Sequence, residues 1–464
     1  MRIFDHIILG DGPVSRIVQS SVTSGGENCL VLDCGSGLNL LLENLQIQSN
    51  VNYVAKKMAP SLNDAGSDFM WAGGLQGWPE EDWLSNRTGG LPDLELRDQY
   101  NSATMHLKKL LGVYNFEFKR DMPIFSTNIL RRVLFPNLRK IYCKILADPS
   151  MSDLKQISEQ NPLIEIVDTF IATKIVPHPD FVRVEGMCLN SNSRLYFDCK
   201  RLHLALGTVE NTRILLNSKR ELNLEKNSFL GRYLSDHLTF IWGTFTTQNL
   251  PRVIRHFSRP KTSDGNSIWP RVKFASRHDE NESSSFAHLD DFRFDGRIPI
   301  FYRILRRLRK EHFYFTFAKS GYFNLNLFVE KKNEHSNFIE VKDSPNFGIP
   351  SAKIFFEIGQ PELDALYALS SKMEAAIRLS FPDIIRVSDS KIDVLSRVEI
   401  QAGTHASGTY RMSVRHEDGV INQKSELWSD NRIRVLGAGA FPVASATHPT
   451  FTSMALALIG VHRD

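Results

Sequence analysis

The sequence predicts an α/β (α+β) protein, a Rossmann-like domain into which a largely antiparallel sheet domain is inserted. Three observations predict it. The apolar run Asp5-His6-Ile7-Ile8-Leu9 is followed at once by a glycine turn and a helix-like stretch. Near the C-terminus, glycine turns lead into a second apolar run, Phe451 to Ile459. Between them, from about Thr239, the hydrophobic period changes to two, the period of a half-buried strand.

The N-terminal unit reads as strand, turn, helix, strand. Gly10-Asp11-Gly12-Pro13-Val14-Ser15 follows the first strand, a helix-like stretch runs to Ser20, and Gly25-Gly26 turns the chain into Cys29-Leu30-Val31-Leu32-Asp33. In the βαβ dinucleotide pattern the first glycine makes a tight turn and the second lets the backbone approach a pyrophosphate. An acid at the end of the second strand holds ribose hydroxyls. Gly10, Gly12 and Asp33 stand at those places, with Asp33 21 positions after Gly12. Ser15 replaces the third glycine, where close packing asks for a small residue. A two-glycine turn is also an ordinary βα connection; the placement of Asp33 tilts the reading toward nucleotide binding.

The middle of the chain is predicted in pieces. Leu94 to Leu111 and Asn137 to Ala147 have apolar residues at helical spacing. Ile164 to Ile175 and Phe181 to Met187 read as strands, the latter turning through Asn190-Ser191-Asn192-Ser193 into another. Arg201 to Leu206 is a strand leading into Gly207 and a helix. Phe240 to Phe245, Tyr314 to Phe317, Tyr322 to Glu330 and Ile354 to Ile358 form one antiparallel series, followed by a helix at Glu362 to Leu379. The polar, acidic residues 276–296 read as a mobile surface loop. The basic stretches Asn128 to Arg132 and Arg303 to Lys310 read as solvated helix faces.

Composition sets limits. The chain has 464 residues, 42% hydrophobic and 23% charged, which suits two or three folding units. A net charge of only +4 argues against nucleic acid or an anionic membrane as the main partner. Cys29, Cys34, Cys143, Cys188 and Cys199 form neither a disulfide framework nor a zinc pattern, and suit a reducing compartment. His6, His178, His256 and His312 have no ligand-like spacing, so no metal site is expected. No apolar stretch approaches the ~20 residues that span a bilayer. With a strand beginning so close to Met1, a cytoplasmic protein is expected; export with a signal-bearing subunit is the alternative.

The C-terminal region carries the chemistry. It reads Gly403-Thr404-His405-Ala406-Ser407-Gly408-Thr409, then Gly437-Ala438-Gly439-Ala440-Phe441-Pro442, then His448-Pro449-Thr450 before the last apolar run. His448 stands just before a helix start, where unpaired N–H groups and the helix dipole favour negative charge.

Taken with the N-terminal turn, Trp71-Ala72-Gly73-Gly74-Leu75-Gln76-Gly77-Trp78, Leu204 to Ser218 and Gly231-Arg232-Tyr233-Leu234-Ser235-Asp236-His237, these blocks resemble the glucose–methanol–choline family of flavoprotein oxidoreductases. The resemblance covers roughly the nucleotide-binding half of the chain. It implies an FAD-binding domain from residues 1–75, 161–236 and 401–464, a helical insertion at 76–160 and a substrate-binding domain at 237–400. It implies FAD held without a covalent bond, since no histidine or cysteine lies near Gly73 to Trp78, and Trp78 fills the attachment position. The cofactor-binding residues it implies are Gly10, Gly12, Pro13, Ser15, Asp33, Gly73, Gly74, Gly207, Gly439, Ala440 and Thr450. His405, which opens a His-x-x-Gly-Thr motif, takes the role of catalytic base of near-neutral pKa, and His448 that of second active-site residue. His237 is read as structural. Gly437 stands where many family members carry an acid.

The implied substrate is a small-molecule or saccharide alcohol, with oxygen or another oxidant as electron acceptor. Two alternatives remain at this stage, a lyase of the same fold in which flavin is a spectator and a non-enzymatic protein on a decayed flavoprotein scaffold.

Overall fold

The computed structural model describes residues 2–37, 41, 43–54, 74–78, 94–111, 138–146, 152–257, 265–274, 284–294, 320–343, 349–387 and 397–461. Along the chain the first elements are β1 (Ile3–Leu9), α1 (Pro13–Ser24), β2 (Cys29–Leu32), β3 (Gln46–Ser49), β4 (Asn52–Tyr53), β5 (Gly74–Leu75), α2 (Leu94–Leu110) and β6 (Leu138–Ile145). Then come α3 (Ser152–Gln160), β7 (Ile164–Val167), β8 (Phe170–Pro177), β9 (Val182–Cys188), β10 (Ser193–Leu204), α4 (Thr208–Asn217), β11 (His237–Thr247), α5 (Leu250–Phe257), β12 (Ser267–Phe274) and β13 (Ser285–Phe294). The last third holds β14 (Gly321–Glu330), β15 (Phe338–Lys342), β16 (Ser351–Phe356), α6 (Gln360–Ser380), β17 (Ile385–Arg386), β18 (Gln401–Ala402), β19 (Glu426–Leu427), β20 (Asp430–Val435) and α7 (Pro449–Val461).

The first sheet has the strand order β19-β20-β10-β1-β2-β7, extended by the antiparallel strands β9 and β8. β1 pairs in parallel with β2 and β10, β10 with β20, and β2 with β7. β2 is apolar and fully buried, as a strand covered on both faces must be. Its core joins Ile7, Leu9, Leu30, Leu202 and Val435 to Leu107 of α2 and to Met454 and Leu458 of α7. Helix α7 is buried nearly all round, which explains why its sequence carries no polar stripe. The chain leaves β1 toward β2 on one side and returns in β10 on the other. That reversal opens a crevice at the carboxyl ends of the strands, where open α/β sheets bind ligands.

The second sheet runs β4-β18-β11-β14-β13-β12-β6-β5, with β17 also on β11. β14 alternates buried and half-buried residues along most of its length, the pattern that its period of two predicts. Leu238, Phe240, Trp242, Leu325 and Leu327 pack with Leu366, Met373 and Ile377 of α6. A third sheet of three strands runs β15-β16-β3.

Several expectations are corrected. Within the stretch expected as a helix at 137–147, Leu138 to Ile145 is β6, held between β12 and β5, so pairing on both sides overrides an apolar spacing that also fits a helix turn. Residues 276–296 are not one loop, since Ser285 to Phe294 is β13, an inner strand between β12 and β14. Ile164 to Ile175 is split, with β7 parallel to β2 and β8 antiparallel to β9. Ile354 to Ile358 leaves the antiparallel series, because β16 pairs with β15 and β3. β5, which carries Gly74, and β18, which precedes Gly403, pair in the second sheet and not in the first. The basic stretches 128–132 and 303–310 and the aromatic run 314–317 lie outside the described residues.

Candidate active site

The N-terminal turn forms as its residues require. Gly10 has φ +96°, and a Cβ there would lie 2.8 Å from the Ala205 carbonyl oxygen just past β10, so only glycine fits at this crossing. Gly12 is the N-cap of α1 in extended conformation, Pro13 sits in the first turn, and no side chain caps the helix. Pro13 lacks an N–H that would be unpaired there anyway. Ser15 is fully buried and accepts a hydrogen bond from Gln19 Nε2 at 3.0 Å, so serine meets the packing need of the missing glycine.

Asp33 directly follows β2 and accepts N–H bonds from Asp11 at 3.0 Å and Gly35 at 2.7 Å. Burial, helped by the nearby Asp11 and Asp168 carboxylates, raises its pKa against the pull of those amides. Gly207, after β10, has φ +84°, and a Cβ there would meet nothing within 4 Å. Gly439 and Ala440 lie in a short 3-10 helix, Ala438–Ala440, that follows β20. Gly10, Asp33, Gly207 and this turn therefore lie past the carboxyl ends of β1, β2, β10 and β20. An uncapped helix start, an acid and an open glycine cradle together are the donor and acceptor set that a dinucleotide's pyrophosphate and ribose need. The residues fit FAD. Gly74 is at the start of β5, at the edge of the second sheet, and Thr450 is in the first turn of α7. Gly73 lies outside the described residues. Trp78 is buried with its ring edge-on to Phe441, centroids 4.6 Å apart, and its backbone N–H donates to Thr452 Oγ1.

The two predicted histidines meet. His405 stands on the loop after β18 and His448 directly before α7, and their ring centroids are 4.9 Å apart. His237, the first residue of β11, packs 4.6 Å from His405 and 6.1 Å from His448. Phe286, Phe328 and Trp269 surround His448 at 5.8–6.1 Å. His405 is not near neutral pKa. Burial first, then the Arg271 guanidinium, pushes it down to about 4, so it is a free base at neutral pH. Burial likewise holds His448 and His237 well below the ordinary histidine value, and the neighbouring imidazole of His405 adds to this for both.

Two residues escaped the sequence reading. Asp236, completely buried, accepts backbone N–H bonds from His237, Gly403 and His405 at 2.7–3.0 Å and so ties the His405 loop to the start of β11. Burial raises its pKa to about 7 against the pull of these amides. Its only signal in the sequence is its place beside His237 in the segment Gly231 to His237. Arg271 of β12 is completely buried between the Trp269 and Phe286 rings, with its guanidinium carbon 4.1 Å from each centroid. Its inward place on a period-two strand was legible, but its partners were not. The loop is pinned further by the Ser235–Ser407 backbone pair and by Thr208 Oγ1, which donates to the Ala406 carbonyl.

A parallel sheet with glycine turns and an acid past its carboxyl ends, joined to a second, largely antiparallel sheet, defines the fold class, an α/β fold with a Rossmann-like dinucleotide-binding domain. A family profile described as GMC oxidoreductase matches residues 335–457. A C-glycoside 3-oxidase of Microbacterium trichothecenolyticum is 30% identical over 149 residues, 31% of this chain and 27% of that protein, so the match spans about a quarter of the relative's length. The fold is similar to that of pyridoxine 4-oxidase from Mesorbium loti, with TM-score 0.62 and 12% identity over 99% of each chain. It is also similar to a fungal aryl-alcohol oxidase, with TM-score 0.57 and 10% identity over 100% of this chain and 99% of that one. Formate oxidase of Aspergillus oryzae RIB40 gives 0.56 and 13%, over 99% and 97%. The chain thus resembles GMC oxidoreductases over residues 335–457 in sequence and over its whole length in fold. Among the described residues, no helix is long and apolar enough to cross a membrane, and no group of three or more His, Cys, Asp or Glu is arranged to hold a metal ion.

Proposed function

We propose that this protein is an FAD-dependent oxidoreductase acting on the CH–OH group of a sugar, polyol or other alcohol. The observation that carries this reading is the contact of two neutral imidazoles, His405 and His448, beside the start of α7. The chemistry that bound FAD would supply is a hydride acceptor for the substrate carbon. Gly10, Gly12, Pro13 and the α1 start would hold its pyrophosphate, Asp33 its ribose, and Ser15 lets α1 pack closely on the sheet. Gly73, Gly74, Gly207, Gly439, Ala440 and Thr450 complete the cradle. His405 takes the hydroxyl proton, and His448 orients the hydroxyl by a hydrogen bond. The rings of Trp269, Phe286 and Phe328 pack around His448 and narrow its approach. The FAD-binding, helical and substrate-binding division at 1–75 with 161–236 and 401–464, 76–160 and 237–400 is part of the same proposal.

The cofactor is held without a covalent bond. Purified protein is expected to be yellow, and acid precipitation to release all the colour into the supernatant. Colour retained in the pellet contradicts this.

Asp33→Ala is expected to lower FAD content while the fold persists. Alanine removes the ribose partner and the acceptor for the Asp11 and Gly35 amides. Asp33→Asn keeps one amide acceptor and can still hydrogen-bond a hydroxyl, so its loss is expected to be smaller. Equal flavin content in parent and both variants, read from the visible spectrum per mole of protein, contradicts the assignment.

A further inference from the structure

Arg271 Nη2 lies 3.2 Å from His448 Nε2, and its Nη1 donates to Gln76 Oε1 at 2.9 Å. Arginine has five N–H donors and no acceptor, and it stays protonated in proteins. In this contact, then, the guanidinium donates and Nε2 is the lone-pair nitrogen. A neutral imidazole with its lone pair on Nε2 carries its proton on Nδ1.

The guanidinium has little freedom to leave. It is completely buried, stacked between Trp269 and Phe286, and anchored to Gln76 just beyond β5. We propose that Arg271 is a positioning residue that locks His448 in the neutral Nδ1–H tautomer. The lock rests on the active-site reading above. His448 then has a donor to offer the substrate and no free lone pair to accept its proton, which leaves the base role to His405 alone. The two histidines are thus made inequivalent by a residue on β12.

Among the described residues, the charged and titratable groups acting on His448 are His405 on its loop, Arg271 on β12, His237 on β11 and His288 on β13. Of these, Arg271 supplies a permanent positive charge, which opposes protonation of His448 at every pH of interest.

The test is ¹⁵N NMR of histidine-labelled holoenzyme, in which each ring nitrogen reports whether it bears a proton. The His448 signals are identified by their loss in His448→Asn. In the parent, the proton is expected on Nδ1 from about pH 8 to about pH 5, across the ordinary histidine range. Arg271→Met is expected to populate the Nε2–H tautomer and to take up a proton at higher pH than the parent. Arg271→Lys, which keeps an obligate donor, is expected to preserve the Nδ1–H form and to serve if the methionine variant does not fold. Flavin reduction in Arg271→Met is expected to slow by about 10–10²-fold, the loss of one hydrogen bond to a charged group. A parent proton on Nε2, or an Arg271→Met protein with unchanged tautomer and titration, overturns the lock. The NMR result is independent of turnover: a lock seen in a protein that no alcohol reduces supports the lock and overturns the redox proposal alone.

Discussion

His405→Ala is expected to slow reduction of the bound flavin by about 10²–10⁴-fold, the usual loss when a general acid–base group is removed. The variant is expected to stay yellow, because His405 is not among the residues assigned to the nucleotide. The pH dependence follows from the direction of the shift. Burial and Arg271 lower His405 to about 4, so the imidazole is free to accept a proton at neutral pH and fills only as pH falls toward that value. The parent rate is therefore expected to be flat around neutrality and to fall on the acid side with a midpoint near 4, and this limb is expected to vanish in His405→Ala. His448→Asn is expected to keep more activity than His448→Ala, since asparagine retains a donor. Stopped-flow reduction across pH reads all of this. A parental rate in His405→Ala would remove His405 from the mechanism.

Asp236→Ala has the second large expected effect, and it acts on both stability and chemistry. It removes the acceptor of several backbone N–H groups, those of His237, Gly403 and His405 among them. A buried donor without a partner costs about 1–3 kcal/mol, so a loss of roughly 3 kcal/mol or more in unfolding free energy is expected. The His405 loop is freed at the same time, so flavin reduction is expected to slow even where the variant still folds. The sign of the pH effect is specific. The Asp236 pKa is raised from 3.8 to about 7 in the folded protein. Between these values the folded state holds a proton that the unfolded chain releases, so this group's contribution to stability is full below about pH 4 and declines as pH rises to about 7. The stability difference between the parent and Asp236→Asn is expected to shift in the parent's disfavour across that window. Denaturant unfolding at several pH values measures it, and a difference independent of pH contradicts the assignment.

How far the sequence foretold these residues follows from how local their determinants are. The turn from Gly10 to Asp33 was legible because its geometry is set within one βαβ unit, where spacing and small residues suffice. The start of α7 at Pro449 was legible from the proline and the apolar run that follows it. Leu138 to Ile145 misled because Leu138, Ile141 and Ile145 also fit a helix face, and what made them a strand was pairing with β12, over 120 residues later. The alternation of β13 was hidden by the polar run just before Phe286. The helpers at the site were least legible of all. Asp236 meets Gly403 across 167 residues and Arg271 meets His448 across 177, and no local pattern reports contacts of that range.

Anaerobic titration of the purified protein with a panel of sugars, polyols and simple alcohols tests the central claim most directly, read in the visible flavin spectrum. At least one alcohol is expected to bleach the yellow protein, with the colour returning when an electron acceptor is admitted. A yellow protein that no alcohol bleaches, or a protein that carries no flavin at all, would contradict it.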